Sequence, residues 1–132
     1  ARWTPYKNDI STTVARVPGF LAKVDAIVAA RYPDLEVVWF GHIGDGNLHL
    51  NILKPEDVSV ADFQMRCKQV SSEIFTAIQE MGGSVSAEHG VGLLKKDFLH
   101  YSRAEEEIAI MRGIKNVFDP DNIMNPGKIF DA

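Results

Sequence analysis

Residues 41–51, Gly-His-Ile-Gly-Asp-Gly-Asn-Leu-His-Leu-Asn, constrain the fold of this chain more than any other stretch. Three glycines surround a turn, and from Asn47 to Ile52 polar and apolar residues alternate. That alternation is the period of a strand with one buried face, and a glycine turn between strand-like runs is a hairpin signal. It puts Leu48, Leu50 and Ile52 on one face and Asn47, His49 and Asn51 on the other. The place of His42 depends on the loop. A two-residue loop at Gly44-Asp45, or a four-residue loop from Ile43 to Gly46, pairs His42 with Asn47. His42 then lies one diagonal step from His49, about 7–8 Å at Cα. A three-residue loop sends His42 to the opposite face unless a bulge restores it.

The rest of the pattern surrounds this hairpin. Asp9 to Val17 is rich in β-branched residues and reads as a strand that Pro18-Gly19 ends. Phe20, Leu21, Val24, Ile27 and Val28 follow helical spacing to Arg31. Glu36 to His42 and Asn47 to Leu53 are the hairpin strands. Phe63, Cys67, Val70, Ile74, Ile78 and Met81 define a long amphipathic helix stopped by Gly82-Gly83. Ser84 to Ala87 reads as a short fourth strand, and Leu93 to Tyr101 as a short helix. Glu105 to Phe118 reads as another, with Ile108, Met111, Ile114 and Phe118 on one face. The order β-α-β-β-α-β predicts an α+β, ferredoxin-like fold: an antiparallel sheet with helices on one face, then C-terminal helices. One sheet face is left free to cover a ligand or another domain.

At 132 residues the chain suffices for one domain with a core. Its net charge of −4, with no basic run beyond Lys95-Lys96, argues against a nucleic-acid surface. No apolar stretch approaches the ~20 residues of a membrane helix, and the N-terminus has no signal-peptide core. The single cysteine excludes an internal disulfide and fits a reducing compartment, so a cytoplasmic location is expected. Cys67 lies on an apolar stripe and is expected to be a buried thiol.

Chemistry concentrates in two glycine-flanked motifs. His42 and His49 lie in the hairpin, and Glu88-His89 follows the fourth strand within Ser86-Ala87-Glu88-His89-Gly90. Two histidines and a carboxylate form a ligand set that leaves positions open for water or substrate. Adjacent residues on extended backbone point apart, so Glu88 and His89 should do different work. A neutral imidazole beside a metal-bound hydroxyl is suited to take its proton. On the residues alone, a tight hairpin with two satisfied histidines stays open beside the metal site. Gly90-Val91-Gly92 is weak as a phosphate loop and reads first as a turn. Lys95 and Lys96 read as helix-surface charges, and His100 as an exposed helix-end residue.

Taken together, four segments resemble the C-terminal part of the FAD-linked oxidase family, within the vanillyl-alcohol-oxidase superfamily. They are Tyr6-Lys7-Asn8-Asp9-Ile10-Ser11, residues 41–51, Ser86-Ala87-Glu88-His89-Gly90-Val91-Gly92 and Asn125-Pro126-Gly127-Lys128. The family includes D-2-hydroxyglutarate dehydrogenase, D-lactate dehydrogenase and the glycolate oxidase flavin subunit. The resemblance implies that His42, His49 and Glu88 are ligands of a divalent metal, zinc or manganese. It implies that His89 is the base that removes the substrate hydroxyl proton. It implies that Lys7 and Asn51 contact a small 2-hydroxy-acid substrate, and that Asn125 lies in a tail approaching FAD.

The same resemblance implies a flavin-binding domain N-terminal to such a segment. The chain is therefore expected to be the substrate- and metal-binding part of a larger oxidoreductase, with its FAD domain as partner. Alone it should bind no FAD tightly and turn over no 2-hydroxy acid. Apolar surface meant for that domain would favour homo-oligomers. Two rivals predict a complete chain: a non-catalytic ferredoxin-like metal- or ligand-binding module, and a self-contained metal hydrolase using His42, His49 and Glu88.

Overall fold

The computed structural model describes residues 5–131. Its strands are β1 (Pro5–Ser11), β2 (Val37–His42) and β3 (Asn47–Leu53), and its helices α1 (Val17–Arg31), α2 (Val60–Glu80) and α3 (Glu105–Phe118). Short 3-10 turns occupy Val14–Arg16, Ile43–Asp45 and Lys96–Tyr101. The sheet order is β1-β3-β2, with β3 antiparallel to both neighbours. This is the expected α+β antiparallel sheet, and β3 and α3 have the bounds their patterns predicted.

Leu48, Leu50 and Ile52 are buried, as the alternation required. They pack with Val17, Phe20, Val24 and Val28 of α1 and with Phe63, Cys67, Ile74 and Ile78 of α2 in one cluster. On the opposite face Lys7, Val38 and Phe40 are exposed, so no described helix covers it. Cys67 is buried as expected, and burial pushes its thiol up to about 11. Ser59 caps α2 by accepting the Asp62 N–H at 3.1 Å. At its other end Gly82, with φ +63°, turns the chain, and Gly83 N–H bonds Ile78 O at 2.9 Å. No helix among the described residues is long and apolar enough to cross a membrane.

Three expectations are corrected. The first strand spans Pro5–Ser11 rather than Asp9 to Val17: the Thr12 N–H leaves the ladder for Gly46 O at 3.0 Å, and a 3-10 turn leads into α1. Pro18 then sits in the first turn of α1, where its missing N–H has no helical partner to lose. The fourth strand shrinks to one antiparallel bridge, Ser11 with Ser84, on the free edge of β1. Beyond Ser84, side chains take the backbone donors: Val85 N–H bonds Ser102 Oγ at 2.8 Å, and Ala87 N–H bonds Asp9 Oδ2 at 3.1 Å. The helix expected at Leu93–Tyr101 is a 3-10 turn over Lys96–Tyr101. On α3, Ile108 is buried, but Ile114 and Phe118 are exposed, Phe118 at 77%. The apolar stripe exists, but no described residue covers its C-terminal half.

Arg66 of α2 braces the end of α1, reaching the two Asp34 carboxylate oxygens at 2.8 and 2.6 Å and Arg31 O at 2.8 Å. The guanidinium fork holds Asp34 at about 2. A folded value below the ordinary carboxylate range makes the contribution complete at neutral pH, and it is lost as pH falls from about 4 toward 2. Denaturation midpoints compared between about pH 5 and pH 2.5 should therefore drop slightly more for wild type than for Asp34→Asn. Equal drops would show that the pair adds nothing.

Candidate functional site

The hairpin loop sets the first part of the site. His42 pairs with Asn47 across a four-residue loop, and Ile43–Asp45 forms its 3-10 turn. Two glycines make this possible. Gly46 has φ +67°, and a Cβ there would meet Thr12 O at 1.9 Å. A Cβ on Gly41, φ +150°, would meet Asn47 O at 2.3 Å. The register puts His42 on the face of His49, the condition the sequence left open.

Strand pairing then brings β1 in. Asp9, His49 and Phe40 form one row across β1, β3 and β2, and Lys7, Asn51 and Val38 form the next. The segment after Ser84 runs past the free edge of β1 and delivers Glu88 and His89 to the same face. Lys7, His42, His49, Asn51, Glu88 and His89 all line one open cavity of about 610 Å³. Asn125 does not line it. It lies in the tail after α3 with φ +49°, its carbonyl accepting the Lys128 N–H at 3.4 Å.

His49 is at the centre. Its Nδ1 lies 3.3 Å from Asp9 Oδ1 and its Nε2 lies 3.4 Å from Glu88 Oε1. His89 Nε2 is 3.5 Å from the same Glu88 oxygen. The Asp9 and His49 side chains are 10% and 13% exposed, whereas His89 is 68% exposed. Phe40 stacks on the His49 ring, centroids 4.8 Å apart. Asp9, His49, Glu88 and His89 each offer a ligand atom within 4.8 Å of the others. His42 lies outside that group, with Nδ1 3.5 Å from Asn47 Nδ2, on the same cavity wall.

Sequence reasoning missed Asp9. Its Oδ2 accepts the Ala87 and His89 N–H groups at 3.1 and 3.3 Å, which ties the Glu88-His89 segment to β1. Its Oδ1 has no well-aligned hydrogen bond, and His49 Nδ1 is the group placed to serve it. A carboxylate behind one imidazole nitrogen fixes the tautomer and frees the other nitrogen as a ligand.

Lys95 is the second omission, and the helix-surface reading is corrected. Its ammonium donates to Asp9 O at 2.8 Å and Val85 O at 2.6 Å, clamping the strand edge to the segment beside it. Burial pushes its pKa down. His100 is exposed, as expected.

The family model for FAD linked oxidases, C-terminal domain, matches residues 1–129. A D-2-hydroxyglutarate dehydrogenase of Stutzerimonas stutzeri is 59% identical over all 132 residues, which cover 28% of that protein. One from Xanthomonas citri pv. viticola is 56% identical over the same span and share. The glycolate oxidase subunit GlcD of Bacillus subtilis is 43% identical over 103 residues, 78% of this chain and 21% of that protein. The chain thus spans a little over a quarter of the length of the two D-2-hydroxyglutarate dehydrogenases and about a fifth of the glycolate oxidase subunit. The match over 129 of 132 residues shows that the chain belongs to the FAD-linked oxidase C-terminal domain family.

Proposed function

We propose that this chain is the substrate- and metal-binding part of an FAD-dependent dehydrogenase that oxidises a D-2-hydroxy acid of the 2-hydroxyglutarate, lactate or glycolate type to the 2-oxo acid. The observation that carries the reading is the convergence of two imidazoles, a carboxylate, a lysine and an asparagine on one cavity, with His89 at its rim. The names of the relatives support the substrate class.

The donor set suits a divalent ion, because two imidazoles and one carboxylate leave open positions and a buried carboxylate backs His49. His42, His49 and Glu88 would hold it, and when bound it supplies the Lewis acidity that lowers the pKa of a hydroxyl. The described residues do not form a dinucleotide cradle. Gly90-Val91-Gly92, the one phosphate-loop-like segment, leads to a 3-10 turn rather than to the N-terminus of an α-helix. FAD is assigned to another part of the protein, and Asn125 is the position of this chain proposed to approach it.

The work of this chain is binding and proton handling. Lys7 and Asn51 sit opposite each other across β1 and β3, where ammonium and amide donors suit a substrate carboxylate. His89 is exposed at the rim, with its backbone held by Asp9 and its ring, beside Glu88, open to the cavity and suited to take the hydroxyl proton.

Elemental analysis of the purified chain should find about one divalent ion, falling to background in His42→Ala and in Glu88→Ala. Unchanged metal in both variants would remove the assigned ligand set. Failure of D-2-hydroxyglutarate, D-lactate and glycolate alike to reduce flavin, in the FAD-loaded protein that carries this segment, would remove the dehydrogenase.

A further inference from the structure

A second cavity, of about 470 Å³, lies between β1, α2 and the turn around Leu94–Phe98. Its walls hold Asn8, Gln64, Lys68, Lys95, Phe75 and Phe98, and it borders the first cavity at Lys7 and Asn8. No aspartate or glutamate lines it, in a chain whose net charge is −4.

Three features of its lining point to one ligand chemistry. Asn8 is 2% exposed, and its Nδ2 has no hydrogen-bond partner among the described residues. A buried amide donor left unpaired is costly, and such groups in native proteins call for an acceptor. Lys95 spends two of its three donors on Asp9 O and Val85 O, which leaves one. Lys68 is exposed and makes no hydrogen bond or ion pair with a described residue. Among these donors stand Phe75 and Phe98, edge to face with centroids 4.8 Å apart. Donors and aromatic rings lining one cavity suit an anion with an apolar body. Inorganic phosphate, strongly hydrated on every side, gains nothing from the rings.

We propose that this cavity binds a small organic carboxylate, its oxygens on the Asn8 amide and the Lys68 ammonium and its hydrocarbon chain against Phe75 and Phe98. The site lies on the helix side of β1 and requires neither the metal nor the flavin, so its test is separate from that of the proposed dehydrogenase.

Hexanoate, hexanol and inorganic phosphate are the probes, titrated into the full chain and followed by amide NMR. Hexanoate should bind saturably and shift the side-chain amide signal of Asn8. It should bind at least about tenfold more tightly than hexanol or phosphate, since the carboxylate gains charge-assisted hydrogen bonds and the chain gains apolar contact. Lys68→Gln, on an exposed position, should weaken hexanoate by about fivefold or more and leave hexanol unchanged, without altering metal content. Hexanoate binding no better than hexanol or phosphate, or indifferent to Lys68→Gln, or leaving the Asn8 signal unmoved, overturns the proposal.

Discussion

Replacing His89 with Ala in the FAD-loaded protein should slow reduction of the flavin by substrate by about 10²–10⁴-fold, the usual worth of a positioned general base. Bound metal should stay at the wild-type level. The expectation follows from where the residue sits. His89 is the most exposed member of the four-residue cluster, and its ring reaches the cavity from the rim, whereas His49 is enclosed between Asp9, Glu88 and Phe40. Rapid-mixing measurement of flavin bleaching, paired with elemental analysis of the same sample, separates two roles. Loss of metal together with rate would make His89 a ligand, in keeping with its 3.5 Å approach to Glu88.

Much of this site could be read before the structure because strand parity is a rigid rule. Once Asn47 to Ile52 alternates, the faces of Asn47, His49 and Asn51 are decided, and only the loop length governs His42. What parity within one hairpin does not provide is the register of a strand distant in sequence. Asp9 lies 40 residues before His49, and its role appears only when β1 pairs with β3 and sets the two side by side. Without that register Asp9 is one more acid at a strand boundary. The β-branched run Thr12-Thr13-Val14 pulled the expected strand too far toward the C-terminus, because propensity does not reveal that Gly46 O captures the Thr12 N–H. The fourth strand failed for a related reason: Ser102 and Asp9 satisfy backbone donors that a ladder would have used. Lys95 was misread because its charge suggests solvent, although its long stem lets the ammonium reach two buried carbonyls. The three α-helices were easier, since apolar periodicity is local, whereas the helix expected at Leu93–Tyr101 is a 3-10 turn.

Asp9 offers the sharpest separation of structure from chemistry. Asp9→Ala removes the acceptor of two N–H groups, from Ala87 and His89, and releases the His49 ring. Each orphaned donor costs about 1–3 kcal/mol where water does not reach it. The variant should unfold at clearly lower denaturant and lose its metal as well, which by itself would not show whether the carboxylate tunes His49. Asp9→Asn distinguishes the two. The amide oxygen of Asn can still accept from Ala87 and His89, so stability should fall far less than in Asp9→Ala. The amide nitrogen then faces His49 Nδ1 as a donor, which favours the tautomer with its proton on Nε2. That is the nitrogen facing Glu88, and a protonated nitrogen has no lone pair for a metal. Metal affinity in Asp9→Asn should therefore fall by about 10–100-fold, the range found when a partner behind a ligating histidine is changed. Competition with a metal-binding dye gives the affinity, and denaturant titration of the same variant gives the stability. Wild-type affinity in Asp9→Asn would reduce Asp9 to a fastener of the Glu88-His89 segment, with no part in setting the ring that the metal would meet.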